Sequence, residues 1–125
     1  MNEKIEAALG YAKRGLYVFP LKANQKIPAT RNGYKDATID QDRIISCWGQ
    51  RPDLNIGMAM NSSNLVAIDV DSYKSDCKFD EFMHGRDMPP TLVQNSANGG
   101  THYIFKCNSG DEFAAQLCTG VDIKR

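Results

Sequence analysis

The apolar run Leu65-Val66-Ala67-Ile68 passes straight into Asp69-Val70-Asp71, and this junction sets the tightest limit on the fold. Side chains alternate across a strand, so Asp69 and Asp71 project from one face while Ile68 and Val70 pack on the other. Two carboxylates on one face repel each other unless a cation lies between them. Hard oxygen ligands of this kind suit Mg²⁺ or Mn²⁺, with phosphate oxygens of a substrate completing the octahedron. The same D-x-D also describes a solvated strand end running into the turn at Ser72, and the spacing alone leaves both readings open.

The elements around this strand are short. Asn2 is placed to cap a first helix in which Ile5, Ala8, Leu9 and Ala12 recur at helical spacing, with Gly15 as its stop. Leu16-Tyr17-Val18-Phe19 reads as a strand closed by Pro20, and residues 22 to 37 as a polar, basic loop. Thr38 or Asp40 caps a second helix carrying Ile44, Ile45 and Trp48, which Pro52 prevents from continuing. Asn55 to Met60 and Leu65 to Val70 flank Asn61-Ser62-Ser63-Asn64, which predicts a hairpin. Ser75 or Asp76 caps a short third helix with Phe79, Phe82 and Met83 inward. Leu92-Val93 and Tyr103-Ile104-Phe105 flank Asn98-Gly99-Gly100 as a second hairpin. A helical turn over Glu112 to Leu117 leads to a last strand starting at Gly120-Val121-Asp122-Ile123, which is expected to fray with an open edge. Helices plus antiparallel hairpins predict one α+β domain over 1–125.

At 125 residues, 42% hydrophobic and 24% charged, the chain has the make-up of an ordinary globular domain. No apolar run approaches the roughly 18–20 residues that cross a bilayer, and Met1-Asn2-Glu3-Lys4-Ile5 opens no signal peptide, so a cytoplasmic protein with no membrane partner is expected. Cys47, Cys77, Cys107 and Cys118 include no C-x-x-C pair and read as reduced thiols. Fifteen basic and fifteen acidic residues cancel, but unevenly along the chain. Residues 1 to 35 hold seven basic groups against two acidic ones, and residues 36 to 90 hold ten acidic against five basic. A basic front beside an acidic middle suits a metal-dependent site acting on phosphates; two differently solvated faces would give the same count.

His102 follows Gly99-Gly100-Thr101 in its hairpin, with Ile104 and Lys106 on its face and Thr101, Tyr103, Phe105 and Cys107 on the other. The glycines allow close backbone approach to a ligand and offer N–H donors to anionic oxygens. His84, beside Gly85, fits a helix C-cap. Asp122 is an acid in an apolar strand start, and Lys26-Ile27-Pro28 sets a lysine in the basic loop. No G-x-x-x-x-G-K-[ST], G-x-S-x-G or H-E-x-x-H occurs, which removes the P-loop, hydrolase-elbow and zincin readings.

Taken in order, Tyr11-Ala12-Lys13-Arg14-Gly15, Val18-Phe19-Pro20-Leu21, Lys26-Ile27-Pro28, Asp36-Ala37-Thr38, Asn55-Ile56-Gly57, Val66-Ala67-Ile68-Asp69-Val70-Asp71, Pro90-Thr91, Gly99-Gly100-Thr101-His102-Tyr103-Ile104-Phe105 and Gly120-Val121-Asp122-Ile123 form a series over nearly the whole chain. In that order it resembles the N-terminal domain of bifunctional DNA primase/polymerases, the prim-pol branch of the archaeo-eukaryotic primase superfamily.

The resemblance implies an α/β unit joined to an RRM-like palm of antiparallel hairpins. It also implies a nucleotidyltransferase of DNA replication in a phage, plasmid or other mobile element, joining nucleoside triphosphates to a 3′-hydroxyl on a DNA template and primer, with a helicase as a further partner. Asp69, Asp71 and Asp122 would hold catalytic Mg²⁺ or Mn²⁺. His102, with Lys26, Gly99 and Gly100, would bind the incoming nucleotide, and Lys22, Arg31 and Lys35 join Lys26 as candidates for triphosphate or template-backbone contact. Where the family has an arginine two residues after the third acid, this chain has Lys124. The family's glycine-rich and Pro-Pro-Ser continuation is not present, so a domain short of its C-terminal end is expected. The alternative from another class is a non-catalytic nucleic-acid-binding remnant of the same fold.

Overall fold

The computed structural model describes residues 2–96 and 98–125 and divides into two compact units, Met1–Ser63 and Asn64–Arg125. In the first, helix α1 (Glu3–Lys13) starts where the Asn2 side chain accepts the Ile5 N–H at 2.9 Å, and Gly15, at φ +79°, follows its end. Helix α2 (Gln41–Gln50) takes Asp40 as its cap, whose carboxylate accepts the N–H groups of Asp42 and Arg43. Ile5 and Ala8 of α1 meet Ile44 and Trp48 of α2 in one core cluster with Val18 and Leu54. Trp48 is 1% exposed, and its indole N–H donates to the Leu54 carbonyl at 3.1 Å, so the ring is buried without an orphaned donor. Ile45, expected inward with its neighbours, faces solvent.

Strands β1 (Val18–Leu21) and β2 (Asn55–Met58) pair antiparallel, with Phe19 opposite Gly57. A Cβ on Gly57 would come within 2.7 Å of the Phe19 ring, which is why a glycine stands there. Pro20 lies inside β1 rather than closing it. A two-stranded sheet has a free edge where a missing N–H breaks no ladder bond, and the Pro20 carbonyl still accepts the Ala29 N–H at 2.9 Å. Between β1 and α2 the polar loop contains a 3₁₀ turn, Gly33–Asp36.

The second unit is built on a five-stranded antiparallel sheet in the order β4-β5-β3-β7-β6, with β3 at Leu65–Val70, β4 at Leu92–Asn95, β5 at Thr101–Lys106, β6 at Gln116–Cys118 and β7 at Val121–Lys124. The expected hairpin of Leu92-Val93 with Tyr103-Ile104-Phe105 forms, as β4 and β5. The expected hairpin across Asn61–Asn64 does not: β2 pairs with β1, and β3 pairs with β5 and β7. A turn permits a hairpin, but the packing of the paired side chains decides it, and β3 pairs along its full length with the six-residue β5. Glu112 to Leu117, expected as a helical turn, instead leads into β6, which turns through Thr119 and Gly120 into β7. β7 therefore has neighbours on both sides, not the open edge expected of it.

Helix α3 (Phe79–Met83) is shorter than expected and lacks a side-chain cap. Its Phe79 ring stacks on Tyr103, centroids 5.9 Å apart, and so packs on the face of the sheet opposite His102. That face also carries Val66, Val70 and Val121, all buried. Three helices and two antiparallel sheets make the α+β fold the sequence predicts. Among the described residues no helix is long and apolar enough to cross a membrane.

Candidate active site on the five-stranded sheet

Asp69 lies directly opposite His102 on one neighbouring strand and directly opposite Asp122 on the other. Directly paired residues of antiparallel strands share a face, with Cα atoms about 4.5–5.5 Å apart. The registers continue outward: His102 opposes Gln94 on β4, and Asp122 opposes Gln116 on β6. One row, Gln94-His102-Asp69-Asp122-Gln116, thus crosses all five strands, its last step beside an irregularity in the β6–β7 register. Every member is polar; on β3 buried Ala67 shares the row's face, while buried Val70 packs on the other.

Within the row, His102 Nε2 lies 3.0 Å from Asp69 Oδ1, their side chains 31% and 20% exposed. Asp71 follows the last residue of β3, and its N–H donates to the Gly120 carbonyl at 2.9 Å, which carries the ladder one residue further. The parity argument therefore holds, and Asp71 faces the same way as Asp69. Asp122 and Asp71 each have a lysine beside them. Lys124 Nζ lies 3.7 Å from Asp122, and Lys74 Nζ lies 3.1 Å from Asp71. The hydrogen bond to Asp71, and then its charge, hold the Lys74 ammonium above the ordinary lysine range, with smaller contributions from Tyr73 and Asp122. Lys74 thus sits in the field of two of the three predicted metal-binding carboxylates.

The donor set suits a hard divalent cation: three carboxylates and an imidazole on one sheet face, with a lysine ammonium held where a cation is attracted. As arranged, no three His, Cys, Asp or Glu side chains among the described residues stand together so as to hold a metal ion, and Asp71 is turned toward Lys74.

The two glycines have structural duties. Gly99 takes φ +90° in the turn. Gly100 is buried, donates its N–H to Ser96 Oγ at 2.8 Å, and would place a Cβ 2.8 Å from the Val70 carbonyl. Ser72 Oγ donates to the Gly99 carbonyl at 3.3 Å, tying this turn to the end of β3 beside Asp71. Gly120, at φ +80°, would set a Cβ 2.8 Å from Cys77 Cα, so the chain before α3 packs hard against the turn that leads to Asp122.

Lys26 belongs to the other unit, exposed in a loop closed by the Lys22 N–H on the Ile27 carbonyl at 2.8 Å. His84 is exposed at the C-cap of α3, where it was expected. All four cysteines are free thiols. The sequence reading missed Gln94, Gln116 and Lys74. The glutamines share the two-residue periodicity of their strands, but their place in the row follows only from pairing, and Lys74 carries no local signal beyond lying three residues after Asp71.

Comparison with curated proteins and with solved structures finds no match. Residues 8–125 match the family described as bifunctional DNA primase/polymerase, N-terminal, which spans both units and contains every member of the polar row. The chain belongs to the bifunctional DNA primase/polymerase N-terminal family, a DNA primase/polymerase-type nucleotidyltransferase domain whose substrates are nucleotides and DNA.

Proposed function

We propose that the sheet face bearing Asp69, Asp71, Asp122 and His102 is the catalytic surface of a nucleotidyltransferase. It transfers a nucleotidyl group from a nucleoside triphosphate to a 3′-hydroxyl on a DNA template in the replication of a phage, plasmid or other mobile element. The observation that carries the reading is the register, which seats Asp69 between His102 and Asp122. A divalent metal, when bound, supplies charge stabilisation at the phosphates and makes the attacking hydroxyl more acidic. Asp69, Asp71 and Asp122 would hold it, with the ammonium groups of Lys74 and Lys124 giving way to the cation. Asp69 fixes the His102 ring through Nε2, leaving the other ring nitrogen for a phosphate oxygen of the incoming nucleotide. Gly99 and Gly100 shape the turn that leads into His102, and Lys26 is proposed as a phosphate contact. Attack by the 3′-oxygen on the α-phosphorus breaks the bond to the β-phosphate and releases pyrophosphate. The protein forms no covalent intermediate, so positioning supplies much of the rate.

The test is pyrophosphate release on a primed template with Mn²⁺, comparing the chain with Asp69→Asn and Asp122→Asn. Release that falls at least about a hundredfold in both variants is expected. Release that persists in the variants refutes the site. No release from a chain that still binds DNA favours the non-catalytic reading.

A further inference from the structure

The first unit carries a cleft of about 460 Å³ that the catalytic reading does not use. Three cations from separate parts of the chain line it: Arg31 from the long loop, Lys35 from the 3₁₀ turn and Arg43 from the first turn of α2. Among the described residues none of the three forms an ion pair. The one carboxylate in the lining, Asp36, accepts the Asn32 N–H at 3.0 Å and the Asn32 side chain at 3.4 Å, and its charge also feels that of Arg43. That leaves an excess of two positive charges around one opening.

A solvated face spreads its charges along a helix, whereas these converge on a cleft from three backbone sites. The lining is mixed: Thr30 and Thr38 stand beside the buried Val18 and Trp48, and the low-dielectric protein behind the cleft strengthens the field of the cations. Two of the three cations are guanidinium groups, which pair with phosphate oxygens through two parallel hydrogen bonds. The buried Trp48 ring offers no face for a base to stack on, so the cleft recognises charge and not base identity.

We propose that this cleft is a phosphate-binding site for the sugar–phosphate backbone of a nucleic-acid strand, or for the phosphate tail of a nucleotide. The shared ligand is the anionic phosphate oxygen, and Arg31, Lys35 and Arg43 are the contacts. Arg43 is the member that sequence reading passed over, while Lys22 and Lys26 lie outside the lining. The proposal deepens the nucleotidyltransferase reading by giving the first unit a share in holding substrate.

The test needs no turnover, so it is independent of the pyrophosphate-release result. Fluorescence anisotropy of a labelled oligothymidine strand, titrated with the full chain over a range of salt, gives affinity and salt slope. Arg31→Ala, Lys35→Ala and Arg43→Ala are each expected to weaken strand binding about threefold or more and to reduce the slope by about 0.7, whatever the base sequence. Inorganic triphosphate, followed by amide shifts, is the second arm. Losses confined to it assign the cleft to the nucleotide tail, and losses confined to the strand assign it to the backbone. Lys13→Ala, an exposed cation on α1 outside the cleft, controls for total charge. Wild-type binding of both ligands by all three variants, or losses no larger than those of Lys13→Ala, overturns the proposal.

Discussion

Gly120→Ala tests the link between the fold and the acid row. Gly120 sits at φ +80°, where a residue with a Cβ is strained by about 1–3 kcal/mol. The new methyl would also stand 2.8 Å from Cys77 Cα and 2.9 Å from its Cβ. The nearest atom is backbone, so no rotamer change relieves the contact, and overpacking of this kind adds about 1–3 kcal/mol. The total expected loss is about 2–6 kcal/mol. Gly110→Ala supplies the comparison, because Gly110 has φ +86° but nothing within 4 Å of its Cβ position, and only the backbone strain applies. Urea unfolding followed by circular dichroism measures both. At about 1–3 kcal/mol per molar for the denaturant slope, the midpoint of Gly120→Ala should fall clearly further than that of Gly110→Ala. Since Asp122 lies two residues beyond Gly120, the folded fraction of the variant should also lose pyrophosphate release. Equal midpoint shifts in the two variants would refute the argument that Cys77 clamps this turn.

Lys74→Ala removes the ammonium that neutralises Asp71, and should tighten Mn²⁺ binding up to about fivefold, the range of an exposed ion pair. Unchanged or weaker binding by calorimetry would show that Lys74 does not occupy the cation's place. Asp36 is held below the ordinary carboxylate range chiefly by the Asn32 backbone N–H. A lowered carboxyl contributes stability in full above its unfolded value and loses it as pH falls through the folded one. The Asn32 amide should therefore titrate by NMR with a midpoint below about 3.9, and Asp36→Asn should abolish that titration; a midpoint at or above that value contradicts the hydrogen bond.

Much of the local structure was legible because its causes act within a few residues. The Asn2 and Asp40 caps each satisfy N–H groups two or three positions away, and the parity of Asp69 with Asp71 follows from backbone geometry alone. Pairing was not legible in the same way. Nothing near Asp69 says that His102 and Asp122 will be its neighbours, and the turn-forming Asn61–Asn64 pointed to a partner that β3 does not take. The family resemblance supplied the identities of the three acids and the histidine. The register supplied their order in the row, and with it Gln94 and Gln116. In the first unit the charge count marked Arg31 and Lys35 as part of a basic front, but Arg43 falls in the acidic middle of the sequence and reaches the same cleft only through the fold.

The place of β3 also bears on how the protein comes into being. It is the first strand of its unit to leave the ribosome and the middle one in space, and its two neighbours, β5 and β7, emerge later, β7 last of the five. Until then Leu65–Val70 presents an unsatisfied, largely apolar edge, the kind of segment that seeks a strand from another chain. Such long-range pairings are slow to form, because loop closure precedes the contacts that reward it. The newborn chain thus passes through an interval of vulnerability to aggregation, which ends with the docking of the strand that brings in Asp122. Completion of the polar row and resistance to misassembly arrive in the same event.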